Sequence, residues 1–273
     1  MRSVVIRQGA LGDFILTLPL LRALAQRGEL HLVTPARYRA LLPDDLAIAS
    51  FSDSDSAAAA ALFAPTVTCH PQALPAPWAE LLRGAELHLF TRAAMLPPVN
   101  CCKLICHDPR PTNPPHAALQ FLRNAGCEAP SQLLTTPMLP RSGQGRNALW
   151  IHSGSGSIHK NIPPDFWADA AKERLQRDTL NLVLSFGEAD MDLLEPMRAA
   201  CQRRRLRWRE VICPTLAELK CGLRDDAARF WGADTGVAHL AAALGIPCDV
   251  WFRCTDPVIW RPLGDVNVHF YNK

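Results

Sequence analysis

The feature that most constrains the fold is the stretch of residues 227–247. Residues 227–231 are short and apolar, as a buried strand is, and residues 232–236 form a glycine-bearing turn. Apolar side chains then follow at helical spacing, and Gly245 and Pro247 end the predicted helix. A strand joined to a helix by a tight turn is the repeating unit of an α/β protein.

Polar residues in this turn predict a binding site. The strand ends at Asp234, and the helix begins at Thr235 and Gly236 with free N–H groups that attract anions, phosphates above all. His239 lies off the apolar stripe, about one turn in, where it would face the same ligand. The alternative is that Asp234 or Thr235 simply caps the helix, and from this stretch alone capping is the better explanation.

Composition excludes several classes of protein. The 273 residues suit one large or two ordinary domains, and 48% of them are apolar, enough for a sizeable core. A net charge of +3 gives no argument for a nucleic-acid partner. Ten cysteines without a signal peptide do not make a disulfide framework, and no apolar run is long enough for a membrane span. We therefore expect a cytoplasmic protein.

A second strand, turn and helix opens the chain. Residues 3–7 predict a strand and residues 8–13 a turn with Gly9 and Gly12, followed by a helix that Pro19 would kink. The turn is not a G-x-G-x-x-G fingerprint, so no dinucleotide is predicted. Asp13 lies at the carboxyl end of the strand and is either a helix cap or a general base; the residues alone do not decide.

Alternation of this kind continues and predicts a parallel sheet with helices on both faces. Asp53-Ser54-Asp55 matches the D-x-D of metal-dependent glycosyltransferases, but a cap before the helix at 57–63 explains it better. Cys102 and Cys106 would lie about 13 Å apart on a strand, too far to share one metal ion. A further helix is predicted at 116–125, and strands at 30–33, 47–49, 66–68, 86–90 and 103–105.

Residues 137–147 are rich in Pro, Gly, Ser and Arg and predict a linker before a second domain. A strand at 148–152 follows, and then a loop of small residues that could donate N–H groups to phosphate oxygens. Lys160 adds a positive charge at the same place. The alternatives are an ordinary flexible turn and a solvated lysine. The residues of this loop are Ser153, Gly154, Ser155 and Gly156.

Two features of the second half have less certain roles. Glu188 follows a predicted strand at 181–186, and its place at a carboxyl end suggests a ribose contact. The next helix is predicted to end in the basic run 203–209, which is usually a solvated helix end. Contact with anionic lipid headgroups is the other interpretation.

Taken together, the motifs resemble those of the ADP-heptose:lipopolysaccharide heptosyltransferases, the inverting glycosyltransferases of family 9. The resemblance implies the GT-B fold, with two Rossmann-like, doubly wound domains that face a cleft. Ile162 departs from the family, which often has tryptophan there, and the first half is short for the family. The matching segments are residues 7–13, 18–24, 153–156, 160–163, 232–247 and 255–264.

The resemblance also implies roles for the candidate residues. Asp13 would be the general base, and residues 153–156, Lys160 and the helix start at Thr235 and Gly236 would hold the donor diphosphate. Asp234, with His239 as a further candidate, would face the donor sugar or its phosphates. Backbone amides and a lysine can stabilise a departing diphosphate without a metal, so neither a metal nor a cofactor is expected.

We therefore predict an acceptor domain at 1–143, a nucleotide-sugar domain at 147–254 and a tail at 255–273 that packs across their junction. The predicted activity is metal-independent, inverting transfer of a sugar, heptose by resemblance, to a lipopolysaccharide-core or other glycan acceptor. The partners are the nucleotide-sugar donor and the glycan or glycolipid acceptor, with peripheral contact to the inner membrane face as an open alternative. The rival functions are a nucleotide-sugar epimerase and a non-catalytic binding protein.

Overall fold

The computed structural model describes residues 1–60, 62, 74–92, 101–139 and 146–271. The chain forms two compact units, Met1–Ser131 and Gln132–Lys273. Each unit contains a parallel sheet with helices, which confirms the predicted α/β class with two Rossmann-like domains. Within the described residues, no helix is long and apolar enough to cross a membrane.

The described residues of the first unit form a five-stranded sheet in the order β3-β2-β1-β4-β5, in which every pairing is parallel. The central strand is β1, so the turn after it opens in the middle of the carboxyl edge. The strands are β1 (Arg2–Ile6), β2 (Glu29–Thr34), β3 (Ser50–Asp53), β4 (Glu86–Phe90) and β5 (Lys103–His107). The helices are α1 (Leu11–Ile15), α2 (Leu18–Ala25), α3 (Ala57–Ala60), α4 (Ala76–Leu82) and α5 (Ala117–Asn124).

The second unit contains a six-stranded sheet in the order β11-β10-β9-β6-β7-β8, also parallel throughout. The register pairs His152 of β6 with Gly232 of β9, so the loops that follow these strands begin side by side. The strands are β6 (Ala148–His152), β7 (Asn181–Phe186), β8 (Trp208–Ile212), β9 (Ala227–Ala233), β10 (Cys248–Phe252) and β11 (Val266–Phe270). The helices are α6 (Pro164–Arg177), α7 (Leu194–Arg203), α8 (Leu216–Asp226), α9 (Gly236–Ala243) and α10 (Pro257–Trp260).

Each sheet buries its central strands. In the first unit, Val4 and Ile6 of β1 pack with Leu87 of β4 and Trp78 of α4. In the second, Leu149 and Ile151 of β6 belong to a core that includes the fully buried Trp167 of α6. Burying such side chains stabilises the fold by about 1.5–3 kcal/mol each, so both central strands are firmly held.

Several predicted elements are wrong in detail. The first helix is two helices, α1 and α2, and Pro19 stands near the start of α2, where its missing N–H costs no hydrogen bond. Residues 47–49 are not a strand, because β3 begins only at Ser50. The basic run is not one helix end: α7 stops at Arg203, and Trp208 begins β8. The predicted strand at 66–68 lies outside the described residues.

The division between the two units, after Ser131, lies earlier in the chain than the predicted linker at 137–147. Residues 132–139 attach to the second unit, where the Leu139 N–H donates to the Ala243 carbonyl at 2.7 Å and the Gly264 N–H donates to the Leu134 carbonyl at 3.1 Å. In the predicted tail, residues 266–270 pair with β10 as an edge strand of the same unit. Packing of that tail across a domain junction stays a prediction.

Candidate functional site

A buried carboxylate, Asp234, lies at the centre of the candidate site in the second unit. It follows β9 directly, and its side chain is only 6% exposed. Its Oδ2 accepts hydrogen bonds from Lys160 Nζ at 2.7 Å and from Thr255 Oγ1 at 2.5 Å. Its Oδ1 lies 3.8 Å from His239 Nε2. The structure thus brings together three predicted site residues and one, Thr255, that the sequence analysis assigned no role.

The surroundings of Asp234 keep it ionised. Burial would raise the pKa of this carboxyl, but His239 and Lys160 outweigh burial and lower the pKa to about 2. A buried charge is costly unless it is paired and hydrogen-bonded. Asp234 satisfies that condition, since both of its oxygens face a polar partner.

The helix start beside Asp234 combines the two roles that the sequence left open. Thr235 is the N-cap of α9, and its hydroxyl accepts a hydrogen bond from the Ala238 N–H at 3.3 Å. Capping is therefore confirmed. It satisfies only one of the orphan N–H groups, so those of Gly236 and Val237 have no acceptor within the helix. These groups and the positive end of the helix dipole can still bind an anion.

Hydrogen bonds and tight packing fix the shape of the loop at 153–156. Ser155 Oγ donates to the Ser157 carbonyl at 2.8 Å and accepts from the Ser157 N–H at 3.0 Å, which folds the loop into a tight turn. A Cβ on Gly154 would lie 2.1 Å from Asp190 Cβ, whereas one on Gly156 would meet nothing within 4 Å. Only glycine fits at position 154, because any side chain would collide with Asp190. At position 156 there is room for a side chain.

Behind this loop lies a buried polar group that the sequence analysis missed. His152 Nδ1 lies 3.0 Å from Ser185 Oγ, and His152 Nε2 lies 3.6 Å from Asp190 Oδ2. Burial lowers the pKa of His152, with Asp190 acting in the opposite direction. Asp190 Oδ2 also accepts from the Gly187 N–H at 3.1 Å, next to Glu188, which is exposed. Asp190 thus connects the 153–156 loop with the turn that carries Glu188.

Some polar atoms of the second unit have no hydrogen-bond partner in the part of the chain that the structure describes. Ser153 Oγ, Asn161 Oδ1 and His239 Nδ1 are all buried in this state. Native proteins leave few such groups, and those that remain call for an explanation such as a functional role. Asn161 follows Lys160 in the chain and His239 faces Asp234, so these two fit a site that is completed by a polar ligand.

In the first unit, Asp13 is the third residue of α1, and its carboxylate caps the start of the helix although Ala10 is the N-cap residue. Its Oδ2 accepts from the Ala10 N–H at 3.1 Å, and its side chain is 24% exposed. Gly9 has φ +143°, and a Cβ there would lie 3.0 Å from Asp13 Oδ2. Gly9 therefore leaves space for the carboxylate, while Gly12 is buried inside α1. The Asp13 carboxylate therefore hydrogen-bonds the start of α1 and is still accessible to solvent.

Next to Asp13 lies a buried arginine that the sequence analysis did not single out. The side chain of Arg7 is 1% exposed, and its guanidinium carbon lies 4.3 Å from the centroid of the Phe90 ring. Its Nη2 is 3.7 Å from Asp13 Oδ1, and no guanidinium nitrogen has a hydrogen-bond partner among the described residues. Burial lowers the pKa of Arg7, and Asp13 acts in the opposite direction.

A second buried cluster of the first unit contains two neutral histidines. His88 Nδ1 lies 3.1 Å from His107 Nε2, and His88 Nε2 lies 2.9 Å from Glu86 Oε1. Burial lowers the pKa of His88 to about 4 and that of His107 to about 3. Both rings are therefore uncharged at neutral pH.

The model of glycosyltransferase family 9 (heptosyltransferase) matches residues 122–273. The chain belongs to this family. The match includes Lys160, Asp234 and every other candidate of the donor site, whereas Asp13 lies outside it.

Similar proteins agree with the family 9 assignment. A curated relative, the putative glycosyltransferase of Haemophilus influenzae, is 28% identical over 139 residues, covering 46% of this chain and 38% of the relative. The chain therefore matches well under half of that protein's length.

Solved structures of family 9 show the same two-domain fold. A family 9 glycosyltransferase from Veillonella parvula has a TM-score of 0.74 at 14% identity, covering 99% of this chain and 86% of that one. The ADP-heptose lps heptosyltransferase II of E. coli has a TM-score of 0.74 at 16% identity, covering 99% and 93%. The E. coli heptosyltransferase WaaC with ADP has a TM-score of 0.65 at 17% identity, covering 100% and 94%.

The basic run of this family 9 protein is partly neutralised. Arg203 and Arg204 pair with Asp165, and Arg204 also pairs with Asp169, at 2.6–2.7 Å. Arg209 pairs with Asp226 at 2.5 Å. These pairs favour the interpretation of a solvated surface, and contact with lipid headgroups stays a prediction. Among the described residues, no three side chains are grouped as metal ligands.

Proposed function

We propose that this family 9 protein transfers a sugar from a nucleotide-diphosphate sugar to a glycan acceptor, with inversion and without a metal. The observation that carries the proposal is the Lys160–Asp234 pair at the N-terminus of α9. It places a lysine against a buried carboxylate, two residues before a helix whose first N–H groups have no acceptor within the helix. Family membership supports glycosyl transfer, and the site supports a diphosphate as the leaving group.

The donor diphosphate is bound by positive charge from two sources. The N–H groups of Gly236 and Val237 are fixed by the helix, and the positive end of its dipole favours an anion there. Lys160 is 28% exposed and sits on a flexible stem, so its ammonium can turn from Asp234 towards a phosphate oxygen. The loop at 153–156 contributes backbone N–H groups, and Glu188 contacts the ribose.

The reaction is a single displacement at the anomeric carbon. Asp13 takes the proton of the acceptor hydroxyl while the hydroxyl oxygen forms a bond to that carbon. The bond from the carbon to the diphosphate oxygen breaks, and its electron pair leaves with the diphosphate. Lys160 and the α9 N–H groups stabilise the charge that develops there, so the step needs no metal. Arg7 holds a positive charge 3.7 Å from Asp13 Oδ1.

The substrate classes are proposed from similarity. Two of the similar structures are named for heptosyl transfer, and one of them was solved with ADP. We propose ADP-heptose as donor, and lipopolysaccharide core or another glycan as acceptor. We propose a cytoplasmic reaction, with peripheral contact to the inner face of the membrane if the acceptor is a glycolipid.

The test is a calorimetric titration of the protein with ADP, UDP, GDP and ADP-heptose, with and without EDTA. We expect saturable binding of one nucleotide type, unaffected by EDTA and weakened at least tenfold in Lys160→Met. Lys172→Met removes an exposed lysine of α6 and is the matched control, with unchanged affinity. Absence of binding for all four compounds would overturn the donor site. In a product assay, release of the nucleoside diphosphate only when an acceptor is present would support transfer, whereas conversion of the donor into an epimeric nucleotide sugar would favour an epimerase.

A further inference from the structure

The segment after β10 surrounds Lys160 with three contacts from consecutive residues. Arg253 Nη1 donates to the Asn161 carbonyl at 2.5 Å, and Cys254 Sγ donates to the His159 carbonyl at 3.1 Å. Thr255 Oγ1 then donates to Asp234 Oδ2 at 2.5 Å. Residues 253–255 therefore bind the backbone on both sides of Lys160 as well as the carboxylate with which it is paired.

Donor binding would take Lys160 away from the buried Asp234, and Thr255 lies where it can offset that loss. Lys160 Nζ is held by Asp234 Oδ2 at 2.7 Å, so it must leave that oxygen before it can reach a diphosphate. A buried carboxylate that loses its only partner is strongly destabilised. Asp234 has a second donor on the same oxygen, because the Thr255 hydroxyl shares Oδ2 with Lys160.

We propose that Thr255 is a positioning residue of the donor site, whose hydroxyl keeps Asp234 hydrogen-bonded when Lys160 leaves it for the donor diphosphate. This inference rests on the proposed function, since it requires a diphosphate that draws Lys160 away. His239 faces the other oxygen, Oδ1, and completes the set of partners that remain. Thr255 thereby lowers the free-energy cost of releasing the lysine.

The local structure fixes the Thr255 hydroxyl in place. Its β-branched side chain has few rotamers, so little entropy is lost when the hydroxyl is held. Its neighbour Asp256 is the N-cap of α10 and accepts from the Val258 N–H at 2.8 Å. The contacts of Arg253 and Cys254 hold the backbone on the other side. The hydroxyl is therefore preorganised to donate to Asp234.

The test compares Thr255→Val and Thr255→Ser by calorimetric titration with ADP. Valine keeps the shape and removes the hydroxyl, so we expect the Kd to rise about tenfold, the effect of one lost hydrogen bond to a charged group. Serine keeps the hydroxyl and is expected to stay within about twofold of the wild type. In a Lys160→Met background the lysine has nothing to release, and Thr255→Val is expected to have no further effect.

Thr215→Val is the matched control for the lost hydroxyl. Thr215 caps α8 through hydrogen bonds with Glu218, at 2.8 Å and 3.3 Å, in the same unit. This variant is expected to lower the Tm and leave the Kd for ADP unchanged. A purely structural role of Thr255 would give the same result as this control.

The outcomes separate this inference from the function on which it rests. If the wild type binds no nucleoside diphosphate, the proposed function fails, and the inference fails with it. If the wild type binds ADP and Thr255→Val binds it equally well, only the inference is overturned. An equal loss of affinity in the wild-type and Lys160→Met backgrounds also overturns it, because Thr255 would then act without Lys160.

Discussion

The two units share one architecture and treat buried charge in opposite ways. In the second unit, the buried Asp234 accepts hydrogen bonds from Lys160 and Thr255 and faces His239. In the first, the buried guanidinium of Arg7 has no hydrogen-bond partner among the described residues, and Asp13 lies 3.7 Å away. Both charges follow strands inside the sheet, at the edge where α/β proteins bind ligands.

This difference suits the separate roles that we propose for the two units. The paired carboxylate of Asp234 stabilises the folded state and holds Lys160 in place, which fits the donor site that we propose for the second unit. The buried cation of Arg7 makes no hydrogen bond among the described residues and lies 3.7 Å from Asp13 Oδ1, so its main effect is the electric field at Asp13. This arrangement fits the role that we propose for Asp13.

The largest expected effect is that of Asp13→Asn on transfer. The amide cannot accept the proton of the acceptor hydroxyl, so kcat is expected to fall by a factor of about 10²–10⁴. The measurement is the initial rate with ADP-heptose and a lipopolysaccharide-core oligosaccharide. The Kd for ADP is expected to stay the same, because Asp13 lies in the other unit from the proposed donor site. Full activity of this variant would mean that Asp13 is not the general base, whereas nucleotide binding without any transfer by the wild type would favour a binding protein.

Acid pH is expected to destabilise the first unit. The pKa values of His88 and His107 are lowered to about 4 and 3 by burial, so below about pH 6.5 the unfolded state binds protons that the folded state excludes. Stability is fully present above pH 6.5 and is lost as the pH falls, by about 2 kcal/mol per histidine between pH 7.5 and pH 5.

Denaturant unfolding of the wild type and His107→Gln at both pH values measures this effect. In the variant, the free energy of unfolding is expected to depend less steeply on pH, because only His88 of the two histidines still takes up a proton on unfolding. The Asp234 carboxyl, with its pKa lowered to about 2, loses stability only as the pH falls below about 3.8, and so adds nothing in this range. The buried His152 of the second unit acts in the same direction as His88 and His107. An unchanged slope in His107→Gln would contradict the assignment.

The smallest expected effect on stability is that of Arg7→Met, compared with Asp234→Asn. Removing the buried cation of Arg7, which makes no hydrogen bond among the described residues and has a long ion pair with Asp13, is expected to change the free energy of unfolding by less than about 1 kcal/mol. Removing the paired charge of Asp234 is expected to cost about 2 kcal/mol, since its pKa is lowered by roughly two units. Chemical denaturation measures both values. Equal losses in the free energy of unfolding would mean that Arg7 and Asp234 contribute equally to stability, against the contrast drawn between the two units.

Local patterns predicted much of the fold. The apolar strands β1, β4, β6, β7 and β9 and the helices α5 and α9 follow from periodicity and end signals in their own sequence. The missed strands are edge strands whose residues are mixed: β8 reads WREVI and β11 reads VNVHF. Both are partly exposed, so neither has the continuous apolar run of a buried parallel strand.

The candidate site was predicted as a set of residues and not as a set of contacts. Lys160 and Asp234 were both named, but their bond joins residues 74 positions apart, which no local pattern encodes. Gly154 was assigned to ligand approach, and its tight packing against Asp190 depends on the fold. Arg7 was read as the end of a strand, because burial without a partner becomes visible only in three dimensions.

The pairing of β6 with β9 also has a consequence for the kinetics of folding. Ile151 of β6 lies beside Trp231 of β9, and the strands β7 and β8 come between them in the chain. Pairings between distant segments form slowly, because the entropy of closing the loop is lost before the contacts are gained. Lys160 and Asp234 therefore meet only after this long-range step, and the recovery of nucleotide binding during refolding is expected to lag behind the formation of helices.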